Sequence, residues 1–315
     1  MNVYTEVSEN IKTENVVVTV GSFDGLHLGH FKILNEVKKV VAGKNGNGFL
    51  VTFEPHPRFV LSKDFDMKLL TSLDEKKEIL EKAGIENLMV INFTKEFSQL
   101  TSDEFIKKFI VDKIGASHMV IGHDHKFGKD RLGDVVKLSQ VGKLYNFDVT
   151  DVSAESMNGE IISSTKIRNF LFEGDIEKAN LFLQRNYSLS GKIVIGAQRG
   201  RTLGFPTANV KLDEHRKAVP KNGVYITKCR LEDEIHFGIM NIGFRPTFEN
   251  KHELVLEVHL LNFNSDIYGR AIKIEFLKRL RDEVKFESKE ALIHQIKTDK
   301  QKAQEIIMAS LKTIF

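Results

Sequence analysis

Read along its length, this chain predicts an α/β domain followed by an antiparallel β domain. Before residue 185 the apolar runs Val16 to Val20, Phe49 to Phe53, Leu88 to Phe93 and His118 to Ile121 alternate with amphipathic segments such as Leu73 to Ala83 and Ser102 to Lys113. That is the pattern of a parallel sheet with crossover helices. From Leu189 to Leu277 the runs are short, alternate in polarity and are separated by Gly, Pro and Asn, which predicts antiparallel strands. Length agrees, because 315 residues make about two domains at roughly 150 residues each. The domains are expected at 1–184 and 187–315.

Composition narrows the functions. With 41% hydrophobic and 28% charged residues the chain is an ordinary globular protein able to bury a core. No apolar run approaches a membrane span and Met1 to Thr13 is too polar for a signal peptide, so a cytoplasmic protein with no membrane partner is expected. Cys229 is the only cysteine, which excludes an internal disulfide and a cysteine-rich zinc site. The 46 basic residues are interspersed with 43 acidic ones for a net charge of +3, so nucleic-acid binding is not expected. A monomer or weak homo-oligomer is expected.

The first strand-like run leads directly into Gly21-Ser22-Phe23-Asp24-Gly25-Leu26-His27-Leu28-Gly29-His30 and then the helical segment Phe31 to Val41. Strand, glycine-rich turn and helix is how an α/β protein offers a helix N-terminus to a phosphate. His27 and His30 are three apart, so both imidazoles can lie on one face beside the backbone N–H groups of the first turn. Thr52-Phe53-Glu54-Pro55-His56-Pro57 and Gly122-His123-Asp124-His125-Lys126-Phe127-Gly128, with Arg131 and Asp134 beyond, would sit at carboxyl ends of strands, where open α/β sheets put ligands. Neighbouring His123, Asp124 and His125 point in different directions and have no third partner by spacing, so a transition-metal site there is not expected. Ser163, Ser164 and Thr165 open a helix expected over Ile167 to Leu183, where hydroxyls serve as N-caps.

The second half lacks a G-x-x-x-x-G-K-[ST] loop, so any ATP it handles needs another cradle. Thr207 and Asn209 are two apart and share one side of an extended segment. Their hydroxyl and amide oxygens suit Mg²⁺, with ATP phosphates and water completing the shell; Mn²⁺ satisfies the same ligands. In Leu254 to Leu260 the even positions are apolar, which leaves Glu257 and His259 on the opposite face with Val255. A carboxylate there needs a reason, and a solvated edge would supply one. The charged run Arg279 to Phe286 precedes an amphipathic helix from about Ser288 to Leu311, whose Leu292, Ile296, Ala303 and Ile307 are expected to pack on the β domain.

These segments carry a family resemblance. Residues 21–30 resemble the (G)xFDGxHxGH element of the nucleotidyltransferase superfamily, and Ile162-Ser163-Ser164-Thr165-Lys166-Ile167-Arg168 resembles its ISSTxIR element. The loops at 52–57 and 122–128 resemble TFxPHP and GxDFxFG. Gly200-Arg201-Thr202-Leu203-Gly204-Phe205-Pro206-Thr207-Ala208-Asn209 resembles the GRxLGFPTAN element of riboflavin kinases, preceded by Gly191 to Val194 and Gly196. Pro220, Asn222 to Tyr225 and Asn241 to Phe248 follow in family order. Nearly the whole chain resembles the bifunctional bacterial riboflavin kinase/FMN adenylyltransferase family, the FAD synthetases.

The resemblance implies a Rossmann-like nucleotidyltransferase domain and a six-stranded antiparallel β-barrel with a C-terminal helix. It implies that the barrel phosphorylates riboflavin with MgATP to FMN and that the first domain adenylylates FMN to FAD. Gly21, Phe23, Asp24, Gly25, His27, His30, Asp124, Ser164, Thr165 and Arg168 would bind nucleotide in the first domain, with His27, His30 and Arg168 catalytic. Gly200, Arg201, Gly204, Pro206, Thr207 and Asn209 would do so in the second, with Thr207 and Asn209 on the metal and Glu257 as general base. Pro55, His56, Arg281, Glu283 and Phe286 would contact flavin. The sequence departs from the family at His125, Lys126 and Asn262. Two alternatives stay open: only one of the activities, or a flavin-binding regulator without turnover.

Overall fold

Val16–Val20 is buried at every position, and the first unit of the fold is built around this strand. The computed structural model describes residues 1–5, 13–62, 66–123, 128–129, 135–196, 204–246 and 252–312, and divides into two units, Met1–Ser164 and Thr165–Phe315. In the first, β1 (Asn2–Tyr4), β2 (Val16–Val20), β3 (Asn47–Glu54), β4 (Asn87–Asn92), β5 (Ala116–Gly122) and β6 (Asp148–Val152) form one parallel sheet in the order β1-β4-β3-β2-β5-β6. From β2 the chain steps out to β3 and β4, then returns to add β5 and β6 on the other side. The strand order therefore reverses between β2 and β5, and the loops leaving their carboxyl ends flank a crevice where such sheets bind ligands.

Both sheet faces are covered, as parallel sheets require. Val16, Val18 and Val20 pack with Phe49, Met89, Phe105, Ile110 and Met119 on one side. Val17, Val37, Val120 and Val152 pack beneath α1 (Leu28–Lys44) on the other. Helix α2 (Pro57–Leu61) follows β3. Helix α3 (Leu73–Lys82) opens with a reciprocal capping box, Ser72 with Glu75. Helix α4 (Ser102–Phe105) opens with a second, Thr101 with Glu104, and runs on as a π-helix over Ile106–Ile114. Helix α5 (Val135–Tyr145) precedes β6, and a small hairpin, β7 (Ser156–Met157) with β8 (Glu160–Ile161), follows it.

The single helix expected over Ile167 to Leu183 is two: α6 (Ser164–Glu173) and α7 (Ile176–Leu183). Gly174 takes φ +86° and Asp175 caps α7, a stop and a start in adjacent residues. A Cβ on Gly174 would lie 2.7 Å from Arg279 Nε, so the break also lets the chain pass close to the barrel. These helices group with the barrel, and the structural division falls ahead of the boundary expected at 184–187. Lys221 N–H donates to Leu171 O at 2.8 Å and Asn180 Nδ2 to Phe276 O at 2.8 Å.

Strands β9 (Ser188–Val194), β10 (Ala208–Leu212), β11 (Gly223–Leu231), β12 (Glu234–Pro246), β13 (His252–Leu260) and β14 (Ala271–Arg281) close into an antiparallel barrel in the order β10-β13-β12-β11-β14-β9, the architecture the resemblance implied. Met240, Ile242, Leu256, Val258 and Phe276 fill it, with Tyr225 edge-on to Phe276 at 5.3 Å. The last helix, Lys289–Lys312, packs Ala303 and Ile307 on Ile226 and Leu261 outside the barrel. Asn262 sits at φ +56°, a conformation Asn and Asp both tolerate.

Cys229 lies inside the barrel, and burial pushes its thiol up to about 12, so at neutral pH it is a protonated, sheltered SH. A thiol reagent at pH 8 is expected to leave the folded protein unlabelled and to modify one cysteine after denaturation; labelling of the native protein would contradict this placement.

Candidate active sites

The turn after β2 is tightly specified. Phe23 and Leu26 take φ +46° and +40° and Gly25 takes +89°, and backbone of this kind in bulky residues is held only by strong surroundings. Asp24, 2% exposed, supplies them. Its carboxylate accepts from Leu70 N–H at 2.9 Å and Thr71 N–H at 3.0 Å, while Gly25 N–H donates to Thr71 Oγ1 at 3.0 Å. Asp24 therefore fastens the turn to the segment before α3, in addition to any role toward a ligand.

His27 is the N-cap of α1, and its Nδ1 accepts from His30 N–H at 3.4 Å. The neutral ring then carries its proton on Nε2. The His27 and His30 rings stack at 3.7 Å and 14°, with Phe23 edge-on to His30 at 5.2 Å. Gly29 makes room, since a Cβ there would stand 3.3 Å from the His27 ring. The two imidazoles thus share one face at a helix N-terminus, as their spacing suggests. Ser164 Oγ donates to Asp24 O at 2.8 Å, a bond within the first unit; Thr165 and the buried Arg168 belong to the second.

Behind the turn lies Lys76, which the sequence reading missed. It is 5% exposed, and its Nζ donates to Ser22 O at 2.7 Å and Thr52 Oγ1 at 3.0 Å. Burial pulls the ammonium pKa down, and the charges of Asp24 and Glu54 pull it back up. Pro55 and His56 leave the carboxyl end of β3, where His56 Nδ1 caps α2 by accepting from Arg58 N–H at 3.2 Å. Asp124, His125, Lys126, Arg131, Asp134, Gly200 and Arg201 lie outside the described residues.

In the barrel, register builds the second site. Asn209 pairs with Glu257 across β10 and β13, and Glu257 with Asn241 across β13 and β12. Their strand neighbours Ala208, Val258, Met240 and Ile242 are buried inside, so alternation turns Asn209, Glu257 and Asn241 to the outer face in one row. Gly196 admits the Asn209 amide, because a Cβ there would be 2.1 Å from Nδ2. A cavity of about 300 Å³ opens over Glu257 between the strands and the last helix, lined also by Thr207, Asn241, His259, Glu283 and Phe286. A second cavity, of about 360 Å³, is lined by Pro206, Thr207, Phe263, Asp266 and Tyr268. Thr207 borders both.

Arg281 reaches the first cavity but is engaged by Asp299, donating from Nε at 3.0 Å and Nη2 at 2.8 Å. Its guanidinium sits 5.9 Å from the Phe286 ring centre. Glu283 lies against Gly243, where a Cβ would be 2.4 Å from Oε1. Arg281, Glu283 and Phe286 are thus brought together with Glu257. Asn241, placed by strand pairing, and Phe205, in the segment before β10, complete this wall; both fall within segments that resemble the family's motifs. Gly204 takes φ +80° ahead of Pro206 and Thr207.

His259 Nδ1 donates to Pro206 O at 2.8 Å, and Phe205 meets the ring edge-on. Burial pulls its pKa below the usual histidine value, opposed by that hydrogen bond. A group whose folded pKa is depressed adds stability above its unfolded pKa, near 6.5, and loses it as pH falls through the folded pKa. His259→Gln is therefore expected to cost stability at pH 7.5 and progressively less below pH 6.5, measured as the difference in urea midpoint between the two proteins. A difference independent of pH would contradict this.

Comparison with known proteins follows the same division. A family model described as FAD synthetase matches residues 9–166, and one described as riboflavin kinase matches residues 183–307. Relatives named bifunctional riboflavin kinase/FMN adenylyltransferase include those of Listeria monocytogenes, 37% identical over 91% of both chains, and Bacillus subtilis, 39% identical over 91% of both. The Escherichia coli K12 relative of that name is 35% identical over 93% of both. A crystal structure described as a macrolide-efflux protein from Streptococcus pneumoniae superposes with a TM-score of 0.88 at 28% identity, covering 96% of this chain and 99% of that one. Two matched halves in order, and relatives matched over nine-tenths of their length, show that the chain belongs to the bifunctional riboflavin kinase/FMN adenylyltransferase family.

Proposed function

We propose that the chain makes FAD in two steps, on the two sites described above. The carrying observation is the row Asn209, Glu257 and Asn241, of which Glu257 and Asn241 line a cavity that shares Thr207 with its neighbour. Riboflavin occupies the cavity over Glu257, and ATP enters from the side of Thr207. Glu257 accepts the proton of the ribityl 5′-hydroxyl as its oxygen bonds to the γ-phosphorus of ATP; the bond to the β,γ-bridging oxygen breaks, and ADP leaves with FMN formed. Among the described residues no cluster of three His, Cys, Asp or Glu side chains could hold a metal. The oxygen donors of Thr207 and Asn209, with Glu257 opposite Asn209, suit Mg²⁺ bound mainly through ATP phosphates and water. When bound it would neutralise charge developing on the phosphates.

In the other half an FMN phosphate oxygen attacks the α-phosphorus of a second ATP, and pyrophosphate leaves as FAD forms. His27 and His30 donate hydrogen bonds to the phosphates, where charge gathers. Ser164, Thr165 and Arg168 are read as further nucleotide contacts, and Pro55 and His56 as flavin contacts, from their match to the family's motifs. This assigns adenylylation to 1–184 and phosphorylation to 187–315, a functional division that keeps α6 with the first half. The protein is read as a cytoplasmic monomer or weak homo-oligomer. No helix of the described residues is long and apolar enough to cross a membrane.

The test is chromatographic separation of flavins from reactions started with riboflavin or with FMN, each with ATP and Mg²⁺. FMN followed by FAD is expected; no product in either reaction would leave a flavin-binding regulator. Glu257→Gln is expected to slow riboflavin phosphorylation by roughly 10²- to 10⁴-fold while sparing FAD formation from FMN. His30→Ala is expected to do the reverse. Unchanged phosphorylation by Glu257→Gln would remove the base assignment.

A further inference from the structure

We propose that Lys76 is a positioning residue for adenylyl transfer, holding the Ser22–Phe23 peptide in the orientation that the phosphate-binding turn requires. The proposal rests on the reading of His27 and His30 as the adenylylation site.

Lys76 has no catalytic spacing motif around it. On an exposed face of α3 it would be an ordinary solvated lysine, yet it is buried beside β3 and the turn after β2. Burying an ammonium is costly unless it is paired and hydrogen-bonded. Here Nζ donates to Ser22 O at 2.7 Å and Thr52 Oγ1 at 3.0 Å, and Thr52 Oγ1 donates to the same Ser22 O at 3.2 Å. The triangle joins three segments: α3, the end of β3 and the glycine-rich turn. Asp24, two residues beyond Ser22, ties that turn to Leu70 and Thr71, just ahead of α3. Two attachments on one short turn over-determine its backbone, which includes positive φ at Phe23, Gly25 and Leu26.

The peptide unit is planar and trans. With Ser22 O drawn toward Lys76, the Phe23 N–H points to the opposite side of the turn, and none of the described residues accepts a hydrogen bond from it. If the Ser22–Phe23 peptide rotates, that N–H and the φ of Phe23 change together. The Phe23 ring, edge-on to His30, moves with them. Lys76 acts through this peptide and touches no substrate.

The full chain carries its own control, because riboflavin phosphorylation is assigned to the other half. Lys76→Met removes the charge while keeping most of the volume, and Thr52→Val removes only one corner of the triangle. For Lys76→Met the kcat of FAD formation from FMN is expected to fall between about 10- and 100-fold, the cost of a misplaced reacting geometry. KM for ATP is expected to rise, with KM for FMN and the riboflavin kinase kcat within about twofold of the parent. Thr52→Val is expected to move the same two parameters in the same direction by a smaller factor.

The proposal is overturned if Lys76→Met keeps its thermal transition and adenylylates within about twofold of the parent. It is also overturned if Lys76→Met loses the transition while a folded Thr52→Val shows unchanged kcat and unchanged KM for ATP. His30→Ala separates the two levels of the argument. If it adenylylates normally, the site reading has failed; if it is inactive while Lys76→Met is normal, only the role of Lys76 has.

Discussion

Each half of this protein is organised around a carboxylate that folding removes from water and then has to satisfy. Asp24, 2% exposed, accepts hydrogen bonds from Leu70 and Thr71 and so fastens the glycine-rich turn after β2. Asp299, 4% exposed, takes both arms of Arg281 and the Gln295 amide, and so fastens the last helix to the end of β14 beside the cavity over Glu257. A buried charge left unpaired is heavily penalised, so its partners are fixed within a narrow geometry. That requirement converts two mobile kinds of structure, a glycine-rich turn and a helix after a charged loop, into defined walls.

The two sites obtain their geometry by different means. In the α/β half the strands are parallel and the central ones are buried on both faces, which leaves the loops at their carboxyl ends as the place where such sheets bind ligands. The useful donors there are a helix N-terminus, its capping histidine and that histidine's neighbour one turn on. In the barrel the strands are antiparallel, and the candidate groups lie along them: one side of each strand fills the interior, and the outer side of β11 to β14 borders the cavity. A one-residue slip of β13 would send Glu257 into the interior and Val258 to the cavity. The close fit of Gly196 to Asn209 and of Gly243 to Glu283 shows how little space the polar row leaves for variation.

Several elements were legible in the chain because they rest on local physics. Strand and helix periodicity located β2, β3, β4, α3 and the last helix, and the spacing of His27 and His30 placed both rings on one face. Alternation alone put Glu257 and His259 opposite Leu256 and Val258. The single helix expected at 167–183 broke where Gly174 and Asp175 supply a stop and a start, a signal present in the chain but outweighed by the apolar pattern on either side. The resemblance implies Arg281 as a flavin contact; it borders the cavity, and its guanidinium is engaged by Asp299, eighteen residues away on another element.

By itself the sequence located the main apolar strands and amphipathic helices and placed together the chemical groups that lie within one turn or one strand, since those follow from steric and hydrogen-bonding rules acting over a few residues. Family motifs spread over nearly the whole chain carried the rest of the reading. Tertiary structure alone decided the pairings between distant segments: Lys76 with Ser22 and Thr52, Asp24 with Leu70 and Thr71, Asn209 and Asn241 on either side of Glu257. The physical reason is that a lysine on an amphipathic helix or an asparagine on a strand has the same local preferences whether it ends in solvent or beside a ligand. Which of these it meets depends on how sheet order and barrel closure bring the segments together.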